Sequence, residues 1–386
     1  MNIVLLPAPS FKEIGGVATH VFMLARGLEK LGHHVFLINE YPPKWFRWPF
    51  VRFPEWLLSK FNICVARQYR RIAEDLYFFI ELLWKTKGVV HVLNIQNVQH
   101  AEIVKWLRCL RRCQAVLTVH GYLTYEAESR GWCTVGDQTH QWLLTLERKG
   151  YAEFDAIVCV GRQAVRHVQQ FVSKPVAVIP NGLDTNLFCA APKVTREKIC
   201  ILFAGVLQPA KGIMDALEAT RLLIQKHKAA VELRVAGKGA QAEEAKAYVV
   251  AHGLEKSVVF LGALQKEEMP AFYRSGDILL FPSKQGGVSG KSEESSPYAV
   301  LEAMASGLPI VAYRTQALED HVQEGRTGFL VAPGDCYALA DRLGELCRNT
   351  SMLQDMGKAA RLHCEQHHSQ IKMAQRYLEI YTSFLQ

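Results

Sequence analysis

Twelve short apolar runs, with helix-length amphipathic stretches between them, constrain what this chain folds into more than any other feature. The first six are Ile3–Leu6, Val35–Ile38, Val89–Leu93, Ala115–Val119, Ala156–Val160 and Val176–Ile179. The second six are Ile199–Phe203, Val231–Val235, Val258–Leu261, Ile278–Phe281, Ile310–Ala312 and Phe329–Val331. Helical periodicity fills intervals such as Thr19–Leu31 and Ala66–Trp84. Strands that alternate with helices make βαβ units, and these assemble into parallel sheets. The pattern breaks near Pro180–Lys198, where Pro180, Asn181, Gly182 and Pro192 interrupt it. The predicted fold class is therefore α/β: two doubly wound, Rossmann-like domains over residues 1–185 and 186–368. Ligands of such sheets bind at the carboxyl ends of the strands, so the pair is expected to face across a cleft. In the last stretch Ile371, Ala374, Tyr377, Leu378, Tyr381 and Leu385 recur at helical spacing. Residues 369–386 thus predict a terminal helix that crosses back to the first domain.

Composition narrows the class. The 386 residues are 49% hydrophobic and 21% charged, which fits globular domains with sizeable cores. No run reaches the roughly 18 apolar residues of a membrane span. The opening Met1–Pro7 reads as a first strand and not as a signal peptide. The ten cysteines form no CxxC pair and read as thiols of a reducing compartment, so a cytoplasmic protein is expected. Residues 1–190 hold 22 Lys and Arg against 15 Asp and Glu, while the remainder holds 23 against 22. The first half is basic and suits an anionic membrane surface or acceptor; no nucleic-acid module accompanies the charge, so nucleic acid is not expected. Within that half, Lys44–Leu58 interleaves Trp45, Trp48 and Trp56 with Arg47 and Arg52. Tryptophan beside Lys and Arg suits a membrane interface, on the inner face for a cytoplasmic protein, or an acceptor site; inward packing is the plain alternative.

The chemistry collects in a few places. Glu294 and Glu302 stand eight positions apart across a loop-to-helix junction, with Pro297 suited to the first helical turn. Unpaired N–H groups near Tyr298 and Ala299 suit a phosphate, and a carboxylate on each side suits hydroxyls of a sugar and a ribose. No Asp-x-Asp is present, so a metal site built on such a carboxylate pair has no support. His363–His368 has metal-ligand residue types but reads as a helix end.

The stretch from Glu294 through Glu302 to Val311 closely resembles the glutamate signature of glycosyltransferase family 4, whose fold is GT-B. Other landmarks follow in order: Gly15–His20, Thr118–Gly121, Ile179–Asp184 with Phe188, Phe203–Leu207 with Lys211-Gly212, Val235–Gly239 and Val259–Gly262. The resemblance covers nearly the whole chain and is weakest over residues 40–85. It implies a retaining, metal-independent hexosyltransferase with no cofactor. Its donor would be a nucleotide diphosphate sugar, a UDP-hexose before GDP-mannose. The acceptor would be lipid-linked, a polysaccharide or a small molecule, held by the first domain. Donor contacts are implied for Gly15, Gly16, Gly205, Lys211, Gly262, Leu264, Glu294, Tyr298, Ala299, Val300 and Glu302. Catalytic roles are implied for His120, Glu294 and Lys211, the lysine neutralising charge on the leaving diphosphate.

One position departs from the family. Arginine usually follows the glycine of the phosphate clamp, and here the residue is Val206. Lys284 and Lys291 are the candidate substitutes. The departure leaves two other readings open: a catalytically silent, sugar-nucleotide-binding partner of a membrane enzyme, and a nucleotide-sugar epimerase on the same fold.

Overall fold

The computed structural model describes residues 1–6, 15–38, 42, 44–129, 131–190, 197–284 and 296–383. The chain divides into two compact units, one of Met1–Gly182 with Gln370–Gln386 and one of Leu183–Ser369.

The first unit is built on β1 (Asn2–Leu6), β2 (His34–Leu37), β3 (Val92–Ile95), β4 (Gln114–Val119), β5 (Ala156–Cys159) and β6 (Val176–Val178). All pair in parallel, in the order β2-β1-β3-β4-β5-β6. Alternate residues bury opposite faces. Val4, Leu6, Leu93 and Leu117 pack on one side of the sheet, and Ile3, Leu5, Val92 and Val116 on the other. Both faces being covered is what makes these strands predominantly apolar, with Asn94 and Thr118 the buried polar exceptions in β3 and β4. The third strand starts later than the apolar run suggests. Val89 is exposed, and pairing with β1 begins at Val92 opposite Ile3.

Helix α1 (Gly16–Lys30) follows β1, and helix α2 (Ile63–Thr86) is the longest in the chain at 24 residues. Asn62 caps α2 by accepting from the N–H groups of Cys64 and Val65. Before it lie a turn at Lys44–Arg47, a π-helical turn at Trp48–Arg52 and a short helix at Phe53–Ser59.

The second unit contains β7 (Ile199–Ala204), β8 (Val231–Ala236), β9 (Val258–Gly262), β10 (Ile278–Phe281), β11 (Ile310–Tyr313) and β12 (Gly328–Val331). Their order is β12-β11-β10-β7-β8-β9, again all parallel. Helix α3 (Ile213–His227) follows β7, and α4 (Tyr298–Ala305) precedes β11. The helix at Thr350–His367 completes this unit. The final helix, α5 (Gln370–Thr382), lies on α1. Its Met373, Ala374, Tyr377 and Tyr381 join Val21, Leu24 and Leu28 in one core. Gly27 permits that contact, because a Cβ there would meet Gln370 O at 2.6 Å and Ala374 Cβ at 2.8 Å.

Candidate active site

In each unit the sequence-marked residues gather where the strand order reverses. In the first sheet that point lies at the carboxyl ends of β1, β3 and β4. A small cavity of about 60 Å³ opens there between Val17, Gln96, Asn97, Thr118 and His120. His120 leaves the end of β4 into it. Its Nε2 lies 2.9 Å from Gln96 Oε1, and Gln96 Nε2 donates to Asn94 Oδ1 at 2.8 Å. Asn94 also accepts from Thr118 Oγ1 at 3.0 Å and donates to the Tyr381 hydroxyl of α5 at 2.6 Å. The orientation of the Gln96 amide therefore places the His120 proton on Nε2. The rings of His20 and His120 meet edge to face with centroids 4.6 Å apart. Burial, and then the neighbouring His20, holds His120 well below the usual histidine range. His20 itself is lowered to about 4 by burial, although its Nδ1 lies 2.8 Å from Asn181 Oδ1. Both imidazoles are neutral at pH 7. His120 is thus a hydrogen-bonding group there, not a cation.

Sequence reasoning did not single out His20, Asn94, Gln96 or Asn181 as site residues. A signal existed for Asn94. A strand otherwise made of Val92, Leu93 and Ile95 rarely buries an amide without using it.

Gly15 caps α1 with an extended backbone, φ −147°, which any residue adopts. Its glycine is therefore not required by conformation. What Gly15 and Gly16 present is an exposed helix start whose first turn holds no acidic residue.

In the second sheet the reversal lies between β7 and β10. The turns after β7, β8 and β9 are bonded together: Gly205 N–H to Ala236 O, Leu207 N–H to Lys238 O at 3.0 Å, and Gly237 N–H to Gly262 O at 2.7 Å. Lys211 ends a 3₁₀ turn, Pro209–Lys211, directly before α3. Gly212 joins them in the left-handed region, φ 71°, where a Cβ would meet Pro282 O at 2.0 Å. That contact locks the Lys211 turn to the end of β10. Val206 is exposed beside it. Lys284, considered as a replacement for the missing arginine, ion-pairs with Asp215 at 2.8 Å, so its charge is already balanced within the unit. Lys291 and Glu294 lie outside the described residues.

Helix α4 starts after Pro297, with no capping side chain and no acid in its first turn. The Val300 N–H bonds Pro297 O at 3.2 Å and the side chain is fully buried, so Val300 belongs to the packing of the helix. Tyr298, Ala299 and Leu264 are partly buried against the same core. Glu302 follows one turn later, beside the buried Tyr273 hydroxyl. Burial raises its carboxyl to about 7, against the opposing effects of Tyr273 and of the charge on Lys266. A carboxylate so desolvated is primed to accept hydrogen bonds from a ligand. Among the described residues no three metal-ligating side chains gather: His363 and His367 stay on their helix, and His368 pairs with buried His321 at 3.4 Å.

Two doubly wound units, each with polar groups collected at its switch point, fit the GT-B class of glycosyltransferase. Two family models match: Glycosyltransferase Family 4 over residues 14–187, and Glycosyl transferases group 1 over residues 190–363. The chain belongs to glycosyltransferase family 4. Among curated proteins it is 26% identical over 360 residues to phosphatidyl-myo-inositol mannosyltransferase of Mycobacterium leprae, covering 90% of this chain and 88% of that one. Its fold is similar to that of sucrose-phosphate synthase from Thermosynechococcus elongatus, with a TM-score of 0.73, 17% identity and coverage of 100% and 99%. The Anabaena protein HepE, solved in complex with UDP, gives a TM-score of 0.71 at 16% identity, covering 99% of this chain and 100% of that one.

Proposed function

We propose that this protein is a retaining, metal-independent hexosyltransferase that takes its sugar from a UDP-hexose, with GDP-mannose the second candidate. The observation that supports it is the arrangement at the β7–β10 switch point: a glycine turn, Lys211, an acid-free helix start at Tyr298 and the desolvated Glu302. Residues 186–368 would hold the donor, with Glu302 accepting from the ribose and Lys211 meeting the diphosphate. Gly15 and Gly16 would add helix-start N–H groups for phosphate oxygens. Glu294 would hold the sugar hydroxyls. In the step itself the anomeric carbon–oxygen bond to the diphosphate breaks, and a bond to the acceptor oxygen forms on the same face through an oxocarbenium-like state. The acceptor proton leaves on a phosphate oxygen. Residues 1–185 would hold the acceptor, with His120 bonding a sugar hydroxyl. The mannosyltransferase relative, named for a phosphatidylinositol acceptor, supports a lipid-linked one, and exposed Trp45, Trp48 and Trp56 support a place at the inner membrane surface. Arg52 is exposed beside them, and Arg47 is half-buried.

The test is a donor panel with EDTA present. UDP-hexose should stabilise the protein against heat and be slowly hydrolysed, and transfer should retain the anomeric configuration. An altered sugar would indicate an epimerase. Binding without turnover would favour the silent partner, a reading that exposed Val206 and the Lys284–Asp215 pair keep open. Val206→Arg adds a forked donor to the clamp at a position with room for it. It should tighten UDP about tenfold, the effect of one charge-assisted bond. Unchanged UDP affinity would mean that another group fills that position.

A further inference from the structure

Helix α2 sets Phe78 and Leu82 into the core, yet none of its charged side chains is fully exposed. Its acids are buried: Glu81 lies 2.7 Å from Lys85, Glu74 3.0 Å from Arg70, and Asp75 2.5 Å from His100 and 3.1 Å from Arg71. Its exposed side chains are all apolar, namely Ile63, Val65, Ile72, Leu76, Ile80 and Trp84. At 100° per residue, the last five fall within an arc of about 120° along a helix about 36 Å long. An amphipathic helix on the surface of a water-facing unit turns these faces the other way. A continuous apolar strip of this extent marks a contact surface.

The turns before α2 extend the strip. Trp45, Trp48 and Phe61 are 71%, 66% and 84% exposed. The Phe46 ring lies 5.2 Å from Tyr77, and the Tyr69 hydroxyl donates to Phe50 O, so this segment is held alongside the helix. A hollow of about 640 Å³ opens at the helix start between Trp48, Phe53, Trp56 and Ile63. Charge identifies the occupant. Residues 44–86 hold eight Lys and Arg and four acids. Three of the acids are buried, and the fourth, Glu55, is half-buried and ion-paired to Arg52 and Arg70. The Lys60 ammonium sits 3.9 Å over the Trp56 ring. An apolar face with a cationic rim and no exposed acid complements an anionic lipid leaflet, whereas a second copy would bring the same cations against it.

We propose that the outward face of α2 is the principal seat of the protein on an anionic membrane. The helix lies in the plane of one leaflet, with Trp45, Trp48 and Trp84 at headgroup level. The inference rests on the reading that the acceptor is presented at a membrane, and extends it by naming the surface that docks.

Vesicle flotation tests it, with phosphatidylcholine alone or mixed with phosphatidylglycerol. The wild type should float with the anionic vesicles and keep part of its binding near 1 M salt, where the Debye length falls to about 3 Å. Ile72→Asn with Ile80→Asn should lower partition at least tenfold while melting temperature and UDP affinity hold. Equal partition of variant and wild type would overturn the proposal, as would a wild type that stays with no vesicle. So would a wild-type dimer that the substitutions split, since copies of the chain would then cover the face. The catalytic reading is separated by UDP-hexose hydrolysis without lipid. Its loss leaves flotation standing, whereas transfer to a lipid acceptor in detergent, with flotation unchanged by the substitutions, sinks this inference alone.

Discussion

At the scale of single residues, burial is the largest influence on both His120 and Glu302. Gln96 orients His120 by offering an acceptor to Nε2, because its own amide hydrogens face Asn94. Gln96→Glu replaces that neutral acceptor with a carboxylate, so the His120 titration, followed by NMR, should move up toward neutrality. Gln96→Met removes the bond at similar volume. It should lower kcat by up to about 100-fold, the effect of a misplaced group at the reacting centre, and leave donor KM unchanged. An unmoved titration in the glutamate variant would show that Gln96 does not govern His120. Burial raises the Glu302 carboxyl from its ordinary value near 4.5 to about 7. The folded protein therefore holds this proton more tightly than the unfolded chain, and stability falls as pH rises from about 4.5 to 7. Glu302→Gln should thus stabilise the protein at pH 8, by on the order of 1–3 kcal/mol, and have little effect at pH 4. It should also weaken UDP, and wild-type affinity for UDP should itself fall as pH drops below about 7. A variant no more stable at pH 8 would mean that the carboxylate is not penalised by its surroundings.

Among elements, the strands were the legible part. A parallel sheet covered on both faces favours apolar runs, and here they recur at the spacing of βαβ units, although runs such as Val21–Ala25 and Leu76–Ile80 lie in helices. Helix α2 was legible as a helix, but not as to which way it faced. Periodicity separates its charged and apolar sides, and the usual rule sends the apolar side inward. Phe78 and Leu82 follow it, but Glu74, Asp75 and Glu81 share the inward side, held by Arg70, Arg71 and Lys85 of the same helix and, for Asp75, by the remote His100. The site divided in the same way. Lys211 and Glu302 stand out because they belong to local strings. The pairing of Lys284 with Asp215, and the chain from Tyr381 to His120, join residues tens to hundreds of positions apart. The contact between α1 and α5 is of this kind too. Gly27→Leu favours the helix intrinsically but puts a side chain where Gln370 O already stands. It should cost about 1–3 kcal/mol in chemical denaturation, the effect of overpacking. Undiminished stability would mean that the two helices are not held at this distance.

For the whole molecule, the chain leaves its first unit at Gly182 and returns at Gln370. The second unit is one continuous stretch, while the first lacks Tyr377 and Tyr381 until residues 370–382, which follow it, are made. Domains released from the ribosome ordinarily fold in the order in which they emerge. Here the order inverts: residues 183–369 can reach their final state while the earlier stretch, with one flank of its sheet uncovered, waits. A chain cut short after residue 369 should therefore resist protease over residues 183–369 and be cut in the earlier stretch, and a chain that includes residues 370–382 should be protected in both. Equal resistance of both stretches in the shortened chain would show that the first unit completes its core without α5. If the order does invert, the earlier half of every new molecule spends the time of its own synthesis as a client for chaperones.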